Sequence, residues 1–137
     1  MNLVHLRRFL ATAPQVLDHL DERIYPNRAP QAVTVPFAVI SEVSDTHTKT
    51  LVGAEDQLHF ATVDLVIYGE TYQQVADARD GVVELFNRDL GYSGPMGGID
   101  VDYAWVENHR GDHIAPLFGD DVAFHELTLT LEIRYRR

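Results

Sequence analysis

The end of the chain alternates cleanly between apolar and polar positions. Leu127, Leu129, Leu131, Ile133 and Tyr135 take turns with Thr128, Thr130, Glu132 and Arg134. In an extended chain successive side chains point to opposite faces, so this segment is predicted to be a strand with one face buried and one in water. Leu58 to Tyr68 repeats the pattern, with Ala61, Val63, Leu65 and Ile67 on one face. Phe37 to Val43 reads as a strand ahead of it. Ile99, Val101, Tyr103 and Trp105 alternate with Asp100, Asp102 and Ala104 and read as another. The alternation assigns Asp100 and Asp102 to solvent, and Tyr103 and Trp105 to the core.

Elsewhere the apolar spacing changes to three and four, the period of a helix. Leu3, Leu6, Leu10, Ala13, Leu17 and Leu20 fall on one such face, and Asn2 is placed to cap it. Pro14 disfavours helical geometry at Ala13 and clashes with the Leu10 carbonyl. The prediction is a first helix over 3–12 and a short second one over 14–20, restarted by Thr12 as a cap. A longer stripe holds Tyr72, Val75, Ala76, Val82, Val83, Phe86 and Leu90, broken only by Arg79. Thr71-Tyr72-Gln73-Gln74 matches a capping box at its start, and Gly91 is a natural stop at its end. Gly81 costs about 1 kcal/mol relative to alanine inside a helix, and close packing on the sheet is one reason to keep it.

Between these elements, residues 21–36 carry Pro26, Pro30 and Pro36 and read as an ordered connector that tucks Ile24 and Tyr25 into the core. Residues 44–57, 91–98 and 107–121 read as loops rich in polar residues or glycine. The order is helix, strand, strand, helix, strand, strand. Pairing the strands as two hairpins predicts an α+β class, a two-layer domain. It is a mainly antiparallel four-stranded sheet packed with the N-terminal helix and one central amphipathic helix. Residues 1–137 are expected to form this single domain.

Charge narrows the function. The chain has 21 acidic against 11 basic residues, a formal charge of -10, and Lys49 is its only lysine. Duplex DNA carries about one negative charge per 1.7 Å, so tight wrapping of nucleic acid is disfavoured. With no cysteine, disulfides, thiolate metal sites and cysteine nucleophiles are excluded. No signal peptide and no membrane-spanning segment are expected.

Little in the sequence points to chemistry. His109, His113 and His125 lie near Asp112, Asp120 and Asp121 in sequence, but Gly111 breaks the helix that would aim the first two at one ion. The glycines at 94, 97 and 98 precede a strand, not the helix N-terminus that binds anions. No nucleophile, base and orienting group can be assigned together. No enzyme, metal or cofactor is expected.

The layout carries a resemblance. An N-terminal helix runs into Asp21-Glu22-Arg23-Ile24-Tyr25, followed by a proline-marked connector and Pro36-Phe37-Ala38-Val39-Ile40. A long loop leads to Val63-Asp64-Leu65-Val66-Ile67-Tyr68-Gly69, then to the helix with Ala76-Asp77-Ala78. A loop rich in Asp and Gly comes next, and the chain ends on the strand His125 to Tyr135. Nearly the whole chain resembles the phage tail-completion proteins, also called tail-terminator or tail-to-head joining proteins, of long-tailed phages and gene transfer agents.

That resemblance implies a virion structural protein, assembled in the host cytoplasm, with no catalytic residues. It implies a homo-oligomer, usually a six-fold ring, that caps the tail tube and meets the head–tail connector. DNA would pass through the lumen without specific binding, and no membrane is involved. The competing expectations are another neck component, such as a head-completion or adaptor protein, and a small cytoplasmic ligand-binding domain or enzyme. Loops 44–57 and 107–121 exceed what a compact core needs, and such loops commonly carry function. They are expected to make the subunit and tail contacts through Thr48, Lys49, Leu51, Ile114, Leu117 and Phe118, with Asp120 and Asp121 pairing to a neighbour's arginines.

Overall fold

A computed structural model describes residues 1–47, 58–114 and 124–136. Helix α1 spans Leu3–Thr12 and buries Leu3, Leu6 and Leu10. The Asn2 side chain caps it by accepting the Val4 N–H at 3.0 Å. Helix α2, Pro14–Leu20, starts on the proline, whose missing N–H costs nothing in a first turn. Its N-cap is Ala13, not Thr12; the Thr12 hydroxyl instead donates to the Phe9 carbonyl at 2.9 Å. The proline also resets the helical phase, so α2 buries Val16 and Leu20 and leaves Leu17 half-buried.

Helix α3, Tyr72–Asn87, buries Val75, Ala76, Ala78, Val82 and Phe86. Thr71 accepts the Gln74 N–H at 3.2 Å, and the Gln74 amide oxygen reaches back to the Glu70 N–H, one residue before the cap. Both ends of the predicted stripe face solvent: Tyr72 is 57% exposed and Leu90 88%. The helix closes at Asn87, and a 3-10 turn over Arg88–Leu90 swings Leu90 outward before Gly91. Gly81 packs against α2 and not against the sheet. A Cβ there would lie 2.3 Å from the Gln15 carbonyl oxygen.

The sheet corrects the predicted fold class. Over the described residues it has six strands and is mixed and curled, where four mainly antiparallel strands were expected. Strands β1 (Ile24–Pro26), β2 (Phe37–His47), β3 (Leu58–Gly69), β4 (Tyr92–Met96), β5 (Ile99–Ile114) and β6 (Phe124–Arg136) stand in the order β1-β2-β3-β6-β5-β4. β1 runs parallel to β2, and every other pair is antiparallel. The two extra strands were hidden for physical reasons. β1 has three residues, too few to show alternation. β4 contains Gly94 and Pro95, which read as a turn and are tolerated because β4 is an edge. Residues 107–114, expected as loop, continue β5 against β6.

The central pair runs in unbroken register from Leu58↔Arg136 to Gly69↔His125. Ala61, Val63, Leu65 and Ile67 join Leu127, Leu129, Leu131 and Ile133 on one face, where they form a single buried cluster with residues of all three helices. β5 departs from simple alternation. Its register shifts between Val101 and Tyr103, where an extra residue moves the side chains from Tyr103 to Val106 to the opposite face, and a second shift between Val106 and Asn108 restores the original phase. Ala104 and Val106 therefore enter the core, and Tyr103 and Trp105, expected there, stand half-exposed on the other face.

Candidate assembly surfaces

With the helices on one face, the other face of the sheet carries no helix among the described residues. Two aromatic groups stand on it. Phe37 stacks on Tyr68 with ring centroids 5.0 Å apart, and Tyr25 meets Phe37 edge-on. Across the sheet, the Arg134 guanidinium lies 5.4 Å from the Phe60 ring and 6.0 Å from the Tyr103 ring. Tyr103 continues the row to Trp105, with nearly parallel rings 6.4 Å apart. The cation and the rings attract through the ring quadrupoles, which orders this half-exposed patch. Asp100 and Asp102 are exposed, and Asp102 accepts from Arg136 at 3.0 Å.

The edges are covered only in part. β1 pairs with Ala38, Val39 and Ile40 of β2, and no described strand pairs with the same edge over Ser41–His47. β4 pairs with β5 only as far as Ala104. Just beyond, the Asn87 amide donates to the Val106 carbonyl at 3.1 Å and accepts the Val106 N–H at 2.7 Å. From Asn108 to Ile114 no described strand lies on that side. An open edge presents unpaired N–H and C=O groups to any extended partner.

At the Leu58 end of the sheet the helix side carries a polar cluster. Asp45 accepts from the Met1 amine, the Tyr135 hydroxyl and His59 Nδ1, the last at 3.3 Å. His59 stacks on Tyr135 with centroids 4.8 Å apart. Glu42 also takes the amine, at 2.6 Å. Burial opposes the Asp45 charge, but these hydrogen bonds prevail and hold its carboxyl below the ordinary carboxylate range. Burial likewise opposes the charged Met1 amine, and Asp45 and Glu42 outweigh it, so its pKa is raised. Residues 45, 59 and 135 meet because strand register brings three distant segments side by side. Their sequence spacing gives no sign of it. The cluster ties strand ends and the N-terminal helix together.

A groove of about 330 Å³ between α2 and α3 is lined by Asp18, His19, Asp77, Asp80, Gly81 and Glu84, among others. Among the described residues, no three His, Asp or Glu side chains are grouped to hold a metal ion. No described helix is long and apolar enough to cross a membrane.

Of the residues expected at interfaces, Thr48, Lys49, Leu51, Leu117, Phe118, Asp120 and Asp121 lie outside the described residues. Ile114 is the last residue of β5, its backbone opposite Phe124. The described residues add surfaces that the loop argument missed: the uncovered sheet face and two open strand edges. Half-exposed aromatics alternating with charges were the available signal for the first.

No family model matches the chain, and no curated protein does. Among solved structures, the fold matches a chain of the "Virion of native gene transfer agent (GTA) particle" with a TM-score of 0.53. The two are 12% identical, and the match covers 96% of this chain and 95% of the other. At that identity the correspondence is one of fold, extending over nearly the full length of both chains.

Proposed function

We propose that this chain is a structural component of a phage-like particle and not an enzyme. Within that class it acts as a tail terminator: a subunit of a ring, six-fold by the resemblance, that caps the tail tube and meets the head connector. The observation that carries the reading is the full-length fold correspondence with a chain of a gene transfer agent virion. It joins the ordered sequence features that resemble the tail-completion proteins. The charge of -10 suits a lumen that DNA must pass without being gripped. The uncovered sheet face and open edges supply surface for neighbours.

The test is to add purified protein to tail tubes assembled without a terminator and image them by electron microscopy. The expected result is ring-shaped density at one end of each tube and an end to further growth there. Protein bound along the tube wall, or no protein at the ends, would overturn the assignment.

A further inference from the structure

Among the described residues, two edge segments of the sheet have no strand beside them, Ser41–His47 on β2 and Asn108–Ile114 on β5. They lie on opposite edges and toward opposite ends of the sheet. Ser44 stands beside Thr62, near the Leu58 end, whereas Arg110 stands beside Thr128 and, through it, Val66. The segments are equally long, seven residues each. In composition the β2 segment carries Glu42 and Asp45, both of which take the chain's own Met1 amine, and no lysine or arginine, and the β5 segment carries one arginine, Arg110, and one aspartate.

We propose that these two segments pair with each other between copies of this chain, the β5 edge of one subunit joining the β2 edge of the next. This rests on the ring reading above and specifies its subunit contact. Strand direction follows from the topology. β2, β3, β6 and β5 alternate in direction, so β5 is antiparallel to β2 within one sheet. A neighbour that continues the sheet in the same sense presents its β2 antiparallel to this β5. Face matching then restricts the register to every second residue. Ser44 and Arg110 both lie on the uncovered face, exposed, so they can stand opposite each other.

That register staggers neighbouring subunits by the rise from Thr62 to Val66, about 13 Å at ~3.3 Å per residue. Four strands at ~4.8 Å span about 19 Å across the sheet. A stagger of 13 Å over 19 Å tilts the strands by about 34° from the ring axis, close to the ~35–45° typical of a closed sheet. Edges placed level with one another would give no tilt. The contact is head-to-tail, so repetition closes a ring instead of stopping at a dimer. Short β1 and β4, with Asn87 over Val106, cover what the pairing leaves out, so strand addition is confined to one segment on each side.

The chain has no cysteine, so every disulfide must come from introduced residues. The experiment compares two double variants, Ser44→Cys with Arg110→Cys and Thr46→Cys with Asn108→Cys. The second keeps Arg110 and follows the same register. Controls are the four single variants and Ser44→Cys with Glu84→Cys, where Glu84 lies on α3. Each protein is oxidised alone and on tail tubes, then resolved by denaturing non-reducing electrophoresis. The expected result is a covalent ladder in both double variants, several-fold above the controls, ending at the subunit number of the ring. If native mass or microscopy shows an oligomer and neither double variant forms the ladder, the edge pairing is wrong and the ring reading stands. If the protein stays monomeric both alone and with tubes, both fall.

Discussion

The side-chain amide of Asn87 occupies the place of a strand beside Val106. It donates to the Val106 carbonyl at 3.1 Å and accepts the Val106 N–H at 2.7 Å, as a paired residue would. It does so where β4 ends and α3 closes, so one residue terminates a helix and covers a sheet edge. Asn87→Ala should cost about 1–3 kcal/mol, because two half-buried backbone groups lose their partners. Asn87→Asp keeps only the acceptor and should fall between. Urea melts measure the cost, and hydrogen exchange should quicken at the Val106 amide. Unchanged exchange there would remove the edge-covering role.

Gly81 makes a prediction of opposite sign to helix propensity. Alanine gains about 1 kcal/mol in a free helix, but here its Cβ would meet the Gln15 carbonyl oxygen at 2.3 Å. That atom is backbone and cannot rotate away, so α2 and α3 must separate. Gly81→Ala should destabilise by about 1–3 kcal/mol. A raised melting temperature would contradict the packing of these helices.

Leu129 is fully buried, opposite Leu65 on β3, in the cluster that includes Val75, Val82 and Phe86 of α3. Leu129→Ala should cost about 2–5 kcal/mol through lost burial and the cavity left behind. A loss under about 0.5 kcal/mol would place the residue outside a packed core.

Asp45 makes stability depend on acid. Its carboxyl is held below the ordinary range in the folded chain, so the folded state prefers it charged. The resulting stability is complete above the unfolded-state pKa and is lost as pH falls through the folded one. Asp45→Asn should therefore flatten the decline in melting temperature across and below the ordinary carboxylate range. An acid limb of unchanged steepness would show that the hydrogen bonds from Tyr135, His59 and Met1 do not stabilise the charge.

The net charge of -10 predicts behaviour toward DNA. The isolated protein should give no gel shift with duplex DNA at an ionic strength of about 0.15 M. Micromolar binding there would overturn the reading of an acidic, non-gripping lumen.

Several elements were legible in the chain itself. α1, α2, β3 and β6 lie close to where periodicity placed them, because the apolar spacing of a helix or a half-buried strand is a local property. Pro14 marked the break between α1 and α2 for an equally local reason, its fixed φ and missing N–H. The composition also carried the charge argument without any structure.

Pairing decided the rest. A single inserted residue near Val101 reversed the faces of Tyr103 and Trp105, and nothing in the alternation of residues 99–105 announces a bulge. β1 and β4 are strands only because β2 and β5 lie beside them, so their own residues show a connector and a turn. The cluster of Asp45, His59 and Tyr135 exists because register sets three segments abreast. The stretches of β2 and β5 that no described strand covers are likewise defined by where their short neighbours stop. Periodicity reports which face of a segment is wet, but hydrogen-bonded pairing between distant segments determines which edge is free, and that is settled only when the chain has folded.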